Sequence, residues 1–183
     1  INDANKQEDP FFMYLAFNAP HDPRQAPKKF LDLYPINSIK LPKNYSPQHP
    51  YMREIGNMPG LRDEALAPYP RSEYAVKKHI QEYYAVISHL DHQVGKIIDH
   101  LENQEMLDNT YIVFTSDHGL AVGQHGLIGK QSLYDHSIRV PMIISGPDIE
   151  KGKKISLDIY LQDIVPTTFD LADIEIPEEI DFK

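Results

Sequence analysis

Two short β-branched runs, Tyr111–Thr115 (YIVFT) and Met142–Ser145 (MIIS), bracket the most constrained part of this chain. Each reads as a buried strand, and the second stops at the turn pair Gly146-Pro147. The loop between them holds four glycines (119, 123, 126 and 129), three histidines (118, 125 and 136), Asp117, Asp135, Lys130 and Arg139. Core strands make rigid edges, and reactive side chains commonly sit on the loops at their carboxyl ends. Asp117 and His118 stand together at the end of the first strand, where they offer one oxygen and one nitrogen ligand at the same edge. The functional site is expected there.

A chain of 183 residues with 41% hydrophobic content is long enough for one domain with a real core. Its net charge of -9 argues against nucleic acid as a main partner, because phosphate contacts need clustered Lys and Arg. Cysteine is absent, which removes disulfides, thiolate metal sites and a Cys nucleophile within these residues. No run approaches the roughly 18 apolar residues of a membrane helix. The opening INDANKQEDP does not resemble a signal peptide and reads like the tail of a polar helix, as in a piece of a longer protein.

Taken in order, Phe11 to Ala16 (FFMYLA) is expected to be a buried strand leading into the Pro-rich exit loop Asn18–Arg24. His21 then occupies the same kind of position as Asp117 and His118, although a histidine in such a loop is commonly structural. Residues 26–71 keep no helical or alternating period, and eight of the 15 prolines fall between Pro27 and Pro70. A segment that long and irregular reads either as a rim over the site or as a plain surface excursion. Arg24, Arg53 and Arg62 could meet an anionic substrate from it.

Ser72 is a plausible N-cap for one long helix running to about Asn103. Ile80, Tyr83, Ile87, Leu90, Val94, Ile97 and Leu101 form an apolar stripe expected to pack on a sheet. Asp91 falls near the buried edge as a structural residue, and His79, His89, His92 and His100 read as surface or supporting residues. After a charged turn at 148–154 comes the short apolar stretch Ile155–Leu161. Asp163 is then expected to cap a last helix through about Ala172, with Pro166 tolerated in its first turn. This order points to an α/β domain with helices on a largely parallel sheet.

Asp117 and His118 would support a divalent metal, with further ligands coming from elsewhere. Lys130, after Gly129, is suited to holding an anionic oxygen, though a solvated lysine fits the spacing equally. His21 and His125 could move protons near neutral pH. Together these groups suit metal-assisted transfer at a sulfuryl or phosphoryl centre. They lack a nucleophile, since Ser116 is expected to stay in the strand.

TSDHG, Gly126–Lys130 (GLIGK) and SLYDHSIRVPMIISGP resemble the carboxyl-terminal half of the catalytic domain of type I sulfatases, in the alkaline phosphatase superfamily. FFMYLAFNAPHDP and SLDIYLQDIVPTTFDLADI resemble that family's strand-and-histidine segment and its later strand and helix. The resemblance covers most of residues 10–175 and is weakest across 27–70. It implies an alkaline-phosphatase-like α/β fold over residues 1–183, with a mixed, largely parallel sheet, and a sulfuric ester hydrolase acting on a sulfated small molecule or carbohydrate. By position it implies Asp117 and His118 as calcium ligands, Lys130 as a sulfate contact, and His21 as a sulfate contact or the acid for the departing alcohol. His125 and Arg24 are further candidates for substrate contact. His at 118 keeps zinc and manganese open beside calcium. The family nucleophile is a formylglycine made from Cys or Ser in C/S-x-P-x-R, and no such motif occurs in these residues. It is expected upstream of Ile1, so these 183 residues alone are expected to be inactive. The family's common export implies a periplasmic or secreted location. Two rivals stay open: a metal-dependent phosphodiesterase or phosphatase of the same superfamily, and a binding protein that lost the nucleophile.

Overall fold

The computed structural model describes residues 1–3, 6 and 9–181. Its longest element is α2, Glu73–Asn103. Ser72 caps it as its sequence suggests: its hydroxyl accepts from the Ala75 amide at 3.2 Å. Four short elements share the rest with irregular chain: α1 (Lys28–Leu31), β1 (Ile112–Thr115), α3 (Asp135–Ile138) and β2 (Met142–Ser145). A last helix, α4, spans Ile164–Leu171.

β1 and β2 pair antiparallel, with Ile112 opposite Ser145 and Thr115 opposite Met142. The loop from 116 to 141 carries the chain out and back, which returns β2 alongside β1 in the opposite sense. Among the described residues this pair is the whole sheet, narrower than the largely parallel sheet expected. Phe11–Ala16 is not a strand and not buried. Phe12 is 76% and Tyr14 82% exposed, because no neighbouring strand among the described residues offers a ladder to join. Ile155, Leu157 and Ile159 are exposed as well.

The stripe on α2 packs differently from its expectation. Instead of a sheet, it meets the segment before it and the loop after β1. Val76 and Ile80 form a cluster with Ile39 and Val122, edged by Tyr34, Leu41, Tyr45, Tyr83 and Leu120. Full burial of each such aliphatic side chain contributes about 1.5–3 kcal/mol. Ile87, expected on the stripe, is exposed, and so is Asp91. Tyr34 adds a hydroxyl contact to Ser88 at 2.6 Å, and its carbonyl accepts from Gln81 at 2.8 Å.

Residues 26–71 are therefore partly interior. Phe30, Ile39, Met52 and Ala67 are buried from this segment, together with His49, Asn57, Asp63, Glu64 and Arg71. The sequence hides this because the segment folds as turns and short 3-10 pieces at Ile36–Ser38 and Glu64–Leu66, which have no period to detect. At the other end Asp163 does not cap α4. Its carboxylate accepts from the Tyr160 amide at 2.7 Å, closing the 3-10 turn Leu161–Asp163 that precedes the helix.

Candidate functional site

Lys130 and His21, 109 residues apart, meet directly: the Lys130 ammonium donates to His21 Nε2 at 3.1 Å. Arg62 Nη2 donates to the same nitrogen at 3.2 Å. Neither cation can accept, so Nε2 is the unprotonated nitrogen of the ring. The other nitrogen, Nδ1, carries the proton and donates to the Asp22 carbonyl at 2.9 Å, with the Asp22 carboxylate 3.2 Å away. The tautomer is thus fixed by the partners.

Asp63 ties this group together. One carboxylate oxygen accepts from Arg62 Nε at 2.7 Å; the other accepts from Gln131 Nε2 at 2.8 Å and lies 3.5 Å from Lys130 Nζ. Burial pushes the Asp63 carboxyl up, but the Gln131 and Arg62 hydrogen bonds and the Lys130 and Arg62 charges outweigh it. The group is held below the usual carboxylate range. The Arg62 guanidinium is correspondingly raised, first by its hydrogen bond to Asp63.

Lys130 is aimed by the loop before it, and a fully buried ion pair anchors that loop. Glu64 and Arg71 are both completely shielded from solvent. The Glu64 carboxylate accepts from Arg71 Nη2 and from the amides of Ile128 and Gly129, at 3.2 and 2.9 Å. Arg71 completes its donors on the carbonyls of Glu64, Ala67 and Gly126, at 2.8, 2.6 and 3.2 Å. A buried ion pair persists only when its remaining donors and acceptors are met in this way. Gly129 is required by contact: a Cβ there would come within 2.8 Å of the Asp63 Cβ and 3.0 Å of Glu64 Oε1. Gly126 is required twice, by φ +78° and by the Gln48–His49 backbone 2.8 Å from any Cβ.

Asp117 and His118 follow β1 directly. Asp117 is largely exposed, and its Oδ2 lies 3.5 Å from His118 Nε2. His118 Nδ1 donates to the Gly119 carbonyl at 2.9 Å, which leaves the Nε2 lone pair beside the carboxylate. An oxygen and a nitrogen donor presented side by side, with the imidazole fixed by its far nitrogen, fit two ligands of one divalent cation. Among the described residues no group of three or more His, Asp or Glu forms a metal site. No polar contact among the described residues joins the pair to His21 or Lys130.

The other candidates lie elsewhere. Arg24 turns to α2: its Nη1 donates to His79 Nδ1 at 2.8 Å and its guanidinium lies over the Tyr83 ring, 5.9 Å from the centroid. It makes no contact with Lys130 or His21 among the described residues. Ser116 donates to the His118 carbonyl at 2.8 Å, a turn contact of a structural kind. His125 stacks on Tyr134, with centroids 4.3 Å apart, and accepts from Asn44 Nδ2 at 2.9 Å. It lines a recess of about 430 Å³ with Tyr134, His136, Asn44 and Asp135.

Three histidines surround Tyr134. The Tyr51 amide donates to His49 Nδ1 at 3.1 Å, so His49 Nε2 is the protonated nitrogen and donates to the Tyr134 hydroxyl at 2.9 Å. Burial, then the neighbouring His125, pushes both His49 and His136 down from the usual imidazole value. Groups lowered on folding add stability that is complete above the unfolded value, about pH 6.5, and is lost as pH falls through the folded one. The thermal midpoint of the full-length protein is accordingly expected to drop between pH 7.5 and 5.5. The drop should shrink in His49→Phe; an equal drop in both proteins would remove His49 as its source.

Arg62, Asp63, Glu64 and Arg71 are the residues that spacing underreports. Arg62 is one of three arginines noted as possible anion contacts, and nothing in the sequence separates it from Arg24 and Arg53. A usable signal does exist in LRDEALAPYPR, residues 61–71: two acids and two arginines among Leu and Ala, in a segment short of other charge. Charges in apolar company are buried only when paired.

A family model described as Sulfatase matches residues 1–174. A sulfatase of Formosa agariphila is 35% identical over 176 residues, 92% of this chain and 33% of that protein. The structure of yidJ from Bacteroides fragilis aligns with a TM-score of 0.73 at 30% identity, covering 100% of this chain and 37% of the other. A phosphonate monoester hydrolase from Silicibacter pomeroyi gives a TM-score of 0.73 at 26% identity, over 90% of this chain and 34% of its own. The chain spans about a third of the length of the curated relatives it matches. The fold is the alkaline-phosphatase-like α/β architecture of these neighbours.

Proposed function

Because this chain belongs to the sulfatase family, we propose that the full-length protein hydrolyses a sulfate ester, of a carbohydrate or a small alcohol, to the free alcohol and inorganic sulfate. The observation that carries this reading is the 3.1 Å contact between Lys130 and His21 Nε2, two groups 109 residues apart that the family resemblance implies as sulfate contacts. Lys130 binds a sulfate oxygen and neutralises charge there, supported by Asp63 and by the loop that Glu64 anchors. His21 presents Nε2 toward the same place. When an anionic oxygen takes the hydrogen bonds now made to Nε2, that nitrogen is released to take up a proton from solvent water and pass it to the departing alcohol oxygen as the sulfur–oxygen bond breaks. One water is consumed overall, and one proton leaves with the sulfate.

Asp117 and His118 are proposed as two ligands of a divalent cation, calcium by family likeness, which when bound would supply fixed positive charge beside the sulfate. The nucleophile is proposed to be a formylglycine outside these residues, so the 183-residue chain alone is expected to be inactive. A periplasmic or secreted location goes with this reading, and cell fractionation reads it directly. Among the described residues no helix is long and apolar enough to cross a membrane.

The likeness to the Silicibacter pomeroyi enzyme favours a second reading, hydrolysis of a phosphonate or phosphate monoester by the same groups. The test is steady-state kinetics of the purified full-length protein on an aryl sulfate and the matching aryl phosphonate, with peptide mass mapping for the aldehyde. Preference for the sulfate, with an aldehyde-bearing C/S-x-P-x-R peptide, is the expected result. Preference for the phosphonate moves the protein to the second reading, and no turnover of either leaves a binding protein. Chelator treatment is expected to lower the sulfate rate at least tenfold, with recovery on adding calcium. A rate indifferent to chelation would remove Asp117 and His118 as ligands of an exchangeable ion.

A further inference from the structure

We propose that Arg62 is a further sulfate-binding residue, one that closes on the anion opposite Lys130. The inference rests on the sulfate-ester reading and adds a contact to it. Arg62 Nη2 and Lys130 Nζ converge on a single neutral acceptor, His21 Nε2, at 3.2 and 3.1 Å. Two cations gathered on one lone pair are poorly matched to it. An anionic oxygen there would accept from both, in shorter and stronger charge-assisted bonds.

The support behind Arg62 gives it the character of a fixed ligand. Asp63 is 2% exposed in its side chain and accepts from Arg62 Nε at 2.7 Å, which orients the plane of the guanidinium. The same carboxylate lies 3.5 Å from Lys130 Nζ, so one buried acid aligns both cations. On the Nε2 side of the imidazole, two positive charges face one negative charge. Asp22, the second carboxylate of the group, lies across the ring at Nδ1, so the cations stand on the Nε2 side and the balancing acids behind them. Arg62 itself is 63% exposed in its side chain, open to a ligand arriving from solvent. Arginine suits the task because Nη2, 2.5 Å from Asp63 Oδ1, carries a second N–H for an oxyanion while Nε also holds the carboxylate.

The decisive measurement is calorimetric titration of inorganic sulfate into the full-length protein, run on wild type, Arg62→Ala, Arg62→Lys and the exposed control Lys151→Ala. Expected is about tenfold weaker binding in Arg62→Ala, partial recovery in Arg62→Lys, and wild-type affinity in Lys151→Ala. The thermal midpoint of Arg62→Ala should fall by only a few degrees, since Asp63 loses one partner but keeps Gln131 and Lys130. Unchanged affinity in Arg62→Ala overturns the assignment, as does a wild type that binds no sulfate. Weakened binding that comes with a large fall in midpoint also overturns it, by making Arg62 a structural residue. If sulfate binding behaves as expected but no sulfate ester is hydrolysed, Arg62 stands as an anion contact and the sulfatase reading falls. If sulfate esters are hydrolysed while Arg62→Ala binds sulfate normally, the reverse holds.

Discussion

Lys130→Ala is expected to lower kcat/KM of the full-length protein on a sulfate ester by about 10²–10³-fold, the range measured for losing one preorganised donor to transition-state charge. The side chain, 17% exposed, lies between Asp63 and His21 and outside the apolar cluster on α2, so the fold should survive the change. Asp63 keeps its bonds to Arg62 and Gln131 and is not left as a bare buried charge. Negative charge grows on the departing alcohol oxygen as the sulfur–oxygen bond breaks, and Lys130, held against His21 Nε2, lies where that oxygen is protonated, so the loss should fall on kcat more than on KM. Lys130→Arg should recover only part, since a planar fork cannot occupy the place of a point charge. A drop smaller than tenfold, at an unchanged thermal midpoint, would take Lys130 out of the site.

The second large effect belongs to stability. Glu64→Gln is expected to cost about 3–5 kcal/mol, the usual penalty for removing one partner of a buried ion pair. It leaves the Arg71 guanidinium fully buried without its counter-charge and weakens the acceptor of the Ile128 and Gly129 amides. Replacing both partners with apolar residues, Glu64→Leu with Arg71→Met, should cost less than either single change, because no charge is then stranded. Denaturant unfolding of the full-length variants reads this directly. A Glu64→Gln penalty under about 1 kcal/mol would mean that solvent reaches the pair. Because the two amides precede Lys130, Glu64→Gln should also lower the rate beyond what the unfolded fraction explains.

What could be read in advance depended on the range of the interaction. Helix α2 was legible to within a residue, because an i, i+3, i+4 stripe and a serine cap are local properties. The strands β1 and β2 were legible for the same reason, as β-branched runs cut off by turns, but the burial expected of them is not found: Phe114 is 36% and Ile143 58% exposed. The meeting of His21 with Lys130 was not: no spacing spans 109 residues, and only likeness to a family put both on one sulfate. Asp117 and His118 came out side by side because they are neighbours in the chain. His125 and Arg24 share the loops expected for them, but their side chains turn to Tyr134 and to His79. A loop position limits where a side chain starts and leaves open where it ends. Phe11–Ala16 was misread through composition, since an apolar run forms a strand only where another strand offers hydrogen bonds. The role of residues 26–71 in the core escaped notice because turns leave no period, and their burial is set by α2 and by the loop at 120–129.

Three consecutive residues, Arg62, Asp63 and Glu64, point three ways: into solvent, onto the lysine, and into the interior. Substitutions at the three are expected to differ in kind: one at Glu64 costs the fold before any substrate is met, whereas one at Arg62 leaves the frame standing. A lineage can therefore retune what the site accepts through the outermost of the three and never pass through an unfolded ancestor. Preference can drift here while architecture stays fixed, and only Asp63 stands between the two.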